Sequence, residues 1–260
     1  MQIANRSIFE KRDRLSLIDQ LNIYIGSADS EWIHKIKPID DRCIVDLKKY
    51  LGMEEMNLDF PYSFVEFAKY AGGDDGGLLS KPLKGEFSIM NLIEQNKEIY
   101  NFEKESLDPY NFEFLTDEVG MSYILKLDNN TENGVFYEDT CFISSSFENL
   151  LFQCAVRSYE EKFFLKNIGF GASINSMRET EELRKEAKPF EIMDGICDKY
   201  CLKKSWFNDE FFYFAYSENL SVLLINQVAV AGKIFGNDDK MIKTISEYLL
   251  PKLGADVQQF

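Results

Sequence analysis

Residues 61–77, PYSFVEFAKYAGGDDGG, fix the start, the inner face and the end of one helix. Pro61 suits the first turn, where its missing N–H costs nothing. Phe64, Phe67 and Ala68 then fall on one side at helical spacing, and Gly72-Gly73-Asp74-Asp75-Gly76-Gly77 stops the run. A glycine-rich loop of this kind invites comparison with a phosphate cradle. Here it follows a helix, carries two carboxylates that repel phosphate, and continues into Leu78-Leu79 where the Walker pattern needs a lysine. The alternating acids and terminal Glu of a calcium loop are missing too. The expected structure is a helix C-cap followed by a tight turn needing positive φ.

Helical and strand-like segments surround this helix. Ile8, Leu15, Ile18 and Leu21 predict a first helix over 7–25, within an N-terminal helical segment 1–30. Asp40 or Asp41 can cap a helix carrying Ile44, Leu47, Tyr50 and Leu51, with Gly52 as its stop. Residues 85–90 read as a strand and 91–100 as a short helix. Residues 111–115, 121–127 and 135–138 read as strands, with a turn over 128–134. Residues 141–143 approach a helix that Ser145 and Glu148 can box and that runs to about Lys166. Residues 169–173 close this unit, and the charged run 176–188 reads as a linker or solvated helix. Beyond it, a helix over 189–202, strands over 210–216, 220–226 and 228–235, and a helix capped by Asn237 and ending near Pro251 form a second unit. The expected fold is α+β. An antiparallel sheet packs against helices in 31–168, a charged linker spans 169–188, and a smaller α-β-β-β-α unit occupies 189–260.

Charge narrows the function classes. The 260 residues carry 29 Lys+Arg against 44 Asp+Glu, a net charge of −15. With seven arginines and no long basic run, the chain lacks the footprint that releases counterions from nucleic acid. Residues 86–140 hold 13 acids and 3 bases, a net of −10, whereas residues 189–260 come to −3. The acidity therefore belongs to one segment, as expected of a face biased toward a basic partner, although a loop-rich, well-solvated segment has the same composition. No apolar run reaches the length of a membrane span, and the first 15 residues have no secretory h-region, so the expected compartment is the cytoplasm.

Cysteine and histidine contribute little chemistry. The cysteines are Cys43, Cys141, Cys154, Cys197 and Cys201, an odd number without a CxxC. Cys197 and Cys201 are four apart on an expected helix, but share its face with Ile192, Met193, Ile196 and Tyr200, and so read as buried thiols. His34 is the sole histidine, which leaves little for a triad or a zinc site. No metal, no cofactor and no catalytic residue is expected.

The order of motifs across 37–160 resembles the SUKH superfamily of bacterial immunity proteins and yeast cell-wall-assembly and killer-toxin-resistance regulators. The resemblance rests on Leu51-Gly52 ending one helix, then Pro61, Ser63, Phe67 and Gly72-Gly73. Ser146-Phe147-Glu148 with Leu150-Leu151 follow the acidic hairpin. It covers about half the chain and does not reach the second unit. These positions start helices, stop them or anchor a core, which suits a binding scaffold with a variable surface. The resemblance implies an immunity protein that binds and neutralises a cognate toxin. A nuclease toxin is basic around its active site, and an acidic face can substitute for its substrate. By local charge density the candidate contacts are Glu113, Asp117, Glu118, Asp128, Glu132, Glu138 and Asp139. Reversing Asp117, Glu118 and Glu132 to Lys is expected to slow association more than reversing Asp238 and Asp239. The alternatives are a regulatory scaffold of the cell-wall-assembly type and, more distantly, a carboxylate-based enzyme.

Overall fold

The computed structural model describes residues 6–10, 15–128, 131–172, 188–227 and 229–258. The fold is α+β, and its strands pair antiparallel in sheets of two, five and six. The chain divides into two compact units, one formed by Arg12–Ser158 and the other by Met1–Lys11 together with Tyr159–Phe260.

The first unit begins with α1 (Leu17–Ala28), α2 (Trp32–Lys35), β1 (Ile36–Lys37), α3 (Asp41–Tyr50) and α4 (Tyr62–Ala71). After β2 (Asp74–Asp75), α5 (Ser80–Leu83), β3 (Gly85–Glu86) and α6 (Ile89–Phe102) come β4 (Asn111–Asp117), β5 (Ser122–Asp128), β6 (Thr131–Tyr137), β7 (Cys141–Ser144) and α7 (Phe147–Tyr159). The five-stranded sheet runs β3-β4-β5-β6-β7. Its inner face packs on α4 and α7 through edge-on rings: Phe64 lies 5.2 Å from both Phe112 and Phe147, and Phe114 lies 5.4 Å from Phe147. Such contacts add to the large area that each buried ring removes from water. Phe67, Phe147, Leu150 and Leu151 are all buried here.

Several boundaries differ from the sequence expectation for local reasons. Ser16 accepts from Asp19 N–H and starts α1, so the expected 7–25 helix is a 3₁₀ turn at Arg6–Phe9 and a separate helix at Leu17. Asp40, not Asp41, caps α3, and Gly52 at φ +74 ends it. Pro61 is the N-cap of α4, one residue earlier than expected, with its carbonyl accepting from Val65 N–H, and Ser63 is half-buried in the first turn. Ser88 caps α6, which cuts the expected 85–90 strand to two residues. Ser146, rather than Ser145, accepts from Asn149 N–H at the start of α7, and Glu148 lies in that first turn. Residues 141–144 pair with β6 instead of merely approaching the helix.

The second unit holds β8 (Lys166–Ala172), α8 (Pro189–Tyr200), β9 (Lys203–Lys204), β10 (Phe212–Tyr216), β11 (Leu220–Asn226), β12 (Val230–Gly236), α9 (Asp239–Leu253) and β13 (Ala255–Gln258). Its sheet runs β13-β8-β12-β11-β10-β9. The expected α-β-β-β-α succession is therefore present, extended by β8, β9 and β13. Residues 169–172, expected to close the first unit, lie in β8 between β12 and β13. The charged run 176–188 lies outside the described residues, apart from Lys188. Asp238 caps α9, while Asn237 accepts from Leu165 N–H. One sheet face, with Val222, Leu224 and Ile234, packs on Met193, Ile196, Ile245 and Leu249 of the two helices.

The Arg6–Phe9 segment packs on the opposite face of this sheet. Phe9 lies 5.0 Å from Phe214 and 4.5 Å from Tyr216. Arg6 reaches Glu160 at 3.0 Å and donates to Ser221 Oγ, while that hydroxyl donates to Glu160 Oε1 at 2.7 Å. Glu160 is fully buried, and the Arg6 guanidinium stands 5.3–5.5 Å from the rings of Phe9, Phe164 and Tyr216.

Candidate partner-binding face

The turns after β4 and after β6 lie at the same end of the five-stranded sheet, because the strands alternate in direction. Three of the seven candidate acids meet around Ser122 and Tyr137 at this end. Glu113 Oε2 accepts from Ser122 Oγ at 2.8 Å, and Glu138 Oε1 accepts from Ser122 N–H. Asp117 accepts from Met121 N–H at 2.9 Å, Val119 N–H at 3.0 Å and the Tyr137 hydroxyl at 2.8 Å. The Met121 N–H in particular, helped by Tyr137, holds the Asp117 carboxyl below the usual carboxylate range, and Asp117 in turn raises the Tyr137 phenol.

The other four candidates fare differently. Glu118 is exposed in the β4–β5 turn, at the same end. Asp139 is paired with Lys126 at 3.5 Å, and the Lys126 ammonium also lies 4.3 Å over the Phe136 ring. Asp128 sits at the opposite end of β5. Glu132 is in β6, and its side chain lies outside the described residues. Charge density alone cannot sort these positions. Knowing which turns share an end of the sheet can.

Charge counting gave no reason to single out the next feature. Between α6 and β4 lies a cavity of about 190 Å³, lined by Leu92, Gln95, Asn96, Ile99, Asp108 and Glu113 among others. Glu113 thus belongs both to the carboxylate group and to the cavity wall.

The glycine-rich loop has taken up its own anion. Asp75 is 3% exposed, and its carboxylate accepts from the N–H groups of Gly77, Leu79 and Ser80 and from Ser80 Oγ, at 2.6–2.9 Å. These are the donors a phosphate would need. Positive φ occurs at Gly76 and Gly77, whereas Gly72 caps α4 at φ −74, so the expected turn strain sits later in the loop. Gly76 also lets Trp32 pack close, since a Cβ there would lie 2.5 Å from Trp32 Nε1.

His34 is exposed on the one-turn α2. All five cysteines are free thiols. Cys197 is buried beside the Tyr213 hydroxyl, and burial pushes its thiol up. Cys201 corrects the expectation of a shared buried face: α8 stops at Tyr200, and Cys201 follows at φ +52, exposed. Among the described residues no three His, Cys, Asp or Glu side chains are grouped to hold a metal, and no helix is long and apolar enough to cross a membrane. Comparisons with family models, curated proteins and solved structures give no match to this chain.

Proposed function

We propose that this chain is a non-enzymatic immunity protein of the SUKH type, which binds a cognate toxin domain with a basic, nuclease-like surface and blocks it in the cytoplasm of the producing cell. The convergence of Glu113, Asp117 and Glu138 at one end of the sheet carries this reading. Fixed carboxylates at one end of a rigid sheet offer a basic active site the charge pattern of its polyanionic substrate, and they steer the encounter. The motif residues support the same view. Gly52, Pro61 and Ser146 shape helix ends, and Phe67, Phe147, Leu150 and Leu151 fill the core, which leaves recognition to the surface.

The structure changes which charges should be reversed. Asp117 holds a turn and Asp238 caps a helix, so both report on folding as well as on binding. Glu113→Lys with Glu118→Lys is the cleaner set, and the exposed Glu210→Lys with Glu218→Lys in the second unit is the control. Binding is measured by stopped flow against the product of the adjacent gene. The association rate should drop about tenfold for the first pair, stay within twofold for the control, and fall as salt shortens the ~8 Å screening length. A rate indifferent to salt and to Glu113 and Glu118 contradicts the steering. Failure of the adjacent gene product to bind points instead to a regulatory scaffold without a toxin.

A further inference from the structure

We infer that the cavity between α6 and β4 is a socket for one arginine side chain of the partner protein. Its volume of about 190 Å³ is well above the ~30 Å³ share of one water. It is also below the ~300–1,000 Å³ of ordinary small-molecule sites, which suits a single inserted side chain. Leu92 and Ile99 give it apolar wall, and Asp108 and Glu113 give it carboxylates. That combination matches an aliphatic stem ending in a cation.

The polar groups favour a guanidinium over an ammonium. Glu113 accepts a single hydrogen bond among the described residues, on Oε2, leaving Oε1 open. Asp108 is tied to Tyr110 N–H and to Asn111 Nδ2, so its position is fixed. Gln95 and Asn96 line the same space, and Asn96 Nδ2 donates to Leu92 O at 2.8 Å. Several acceptors set apart around one cavity fit the planar five-donor fork of arginine better than the point charge of lysine. The surroundings fit a protein rather than a free cation. Phe102 is 86% exposed and Tyr110 is 40% exposed. Phe102 lies one helical turn beyond Ile99, and Tyr110 lies between Asp108 and Asn111. Exposed aromatic residues beside a charged pocket are the anatomy of an interface hot spot.

The inference rests on the reading of a basic protein partner, but the two can fail separately. The probe is Nα-acetyl-arginine methylamide, titrated into the full chain with the lysine and leucine analogues as controls. The side-chain amide signals of Gln95, Asn96 and Asn111 are followed by NMR. The arginine probe should shift these signals saturably, the lysine analogue should need at least fivefold more, and the leucine analogue should do nothing. Glu113→Gln should weaken the arginine probe about tenfold, the scale for one hydrogen bond to a charged group. Gln95→Trp, at an exposed helix position, should fill the cavity and abolish the shifts without depending on Glu113. Equal response to lysine, or shifts untouched by both variants, overturns the inference. If the adjacent gene product binds and Gln95→Trp leaves its affinity unchanged, the socket is wrong and the immunity reading stands. If the arginine probe seats but that product does not bind, the socket stands and the immunity reading falls.

Discussion

Among the described residues each unit buries one carboxylate, and the two are stabilised in opposite ways. Asp75 in the first unit has no ion pair among the described residues. Backbone N–H groups two to five positions along the chain surround it, together with the hydroxyl of Ser80. Glu160 in the second unit is paired with Arg6, which lies far away in sequence, and accepts from the Ser221 hydroxyl. The first solution is local and belongs to one loop. The second is a long-range charge pair that exists only once distant parts of the chain have met. A buried ion whose counter-charge is removed costs more than a lost hydrogen bond, so the two units should differ in how they fail.

The largest effect is expected from Arg6→Ala. It removes the guanidinium that stands 3.0 Å from buried Glu160 and should destabilise the second unit by about 3–5 kcal/mol. Urea unfolding should show one transition moving and the first unit's transition in place. Replacing Arg6 and Glu160 together by Met should restore much of the loss, since apolar substitutes for a buried pair are often neutral or better. If the double replacement is as unstable as the single one, the pair is not what holds this face.

Asp75→Ala comes next. It orphans loop N–H groups that water reaches poorly, for a cost of about 3 kcal/mol confined to the first unit. Because the donors are backbone groups, added salt should not change this cost, whereas a long-range pair has some sensitivity. A loss that spreads to both units would break the contrast between local and distant solutions. Ser146→Ala should cost about 1 kcal/mol in the first unit through its N-cap, and an unchanged melting point would give the cap to another residue.

The smallest effect concerns pH. Asp117 is held below the ordinary carboxylate range in the folded chain. The stability it lends is complete above its unfolded value near ~3.9 and is lost as pH falls through the folded value. Stability curves of Asp117→Asn and the parent should therefore have different slopes below pH ~4 and run parallel above it. Identical slopes would mean that the turn carboxylate titrates alike in both states.

What the sequence made legible follows the same division. The helix stop at Gly72, the buried Phe67 and Phe147, and the β4–β5–β6 meander are written in residues close together and match their expectations, except that β6 starts at Thr131, inside the expected 128–134 turn. The second sheet was only half visible. Its expected strands, now β10 to β12, are near neighbours in sequence, but β8 and β13 join it from either end of the unit. Arg6 lies just before the expected 7–25 helix and Glu160 inside the helix expected to run to about Lys166, so neither carried a local signal. The candidate site shows the same limit. Charge density found Glu113, Asp117 and Glu138 but also gathered Asp128 from the opposite end of β5, and it passed over the amides of Gln95 and Asn96. Spatial neighbours drawn from separate elements leave no periodic trace.

The placement of Arg6–Phe9 with β8 to β13 has a consequence for synthesis. The Arg6–Phe9 strap leaves the ribosome before the first unit, and β13 emerges about 250 residues after it, after roughly 12–50 s at ~5–20 residues per second. The first unit is translated whole in between and can close its own core while the strap waits. Newly made chains halted shortly after residue 188 would then carry a folded insert tethered to an unsheltered Phe9, a natural target for chaperones that bind exposed aromatic segments.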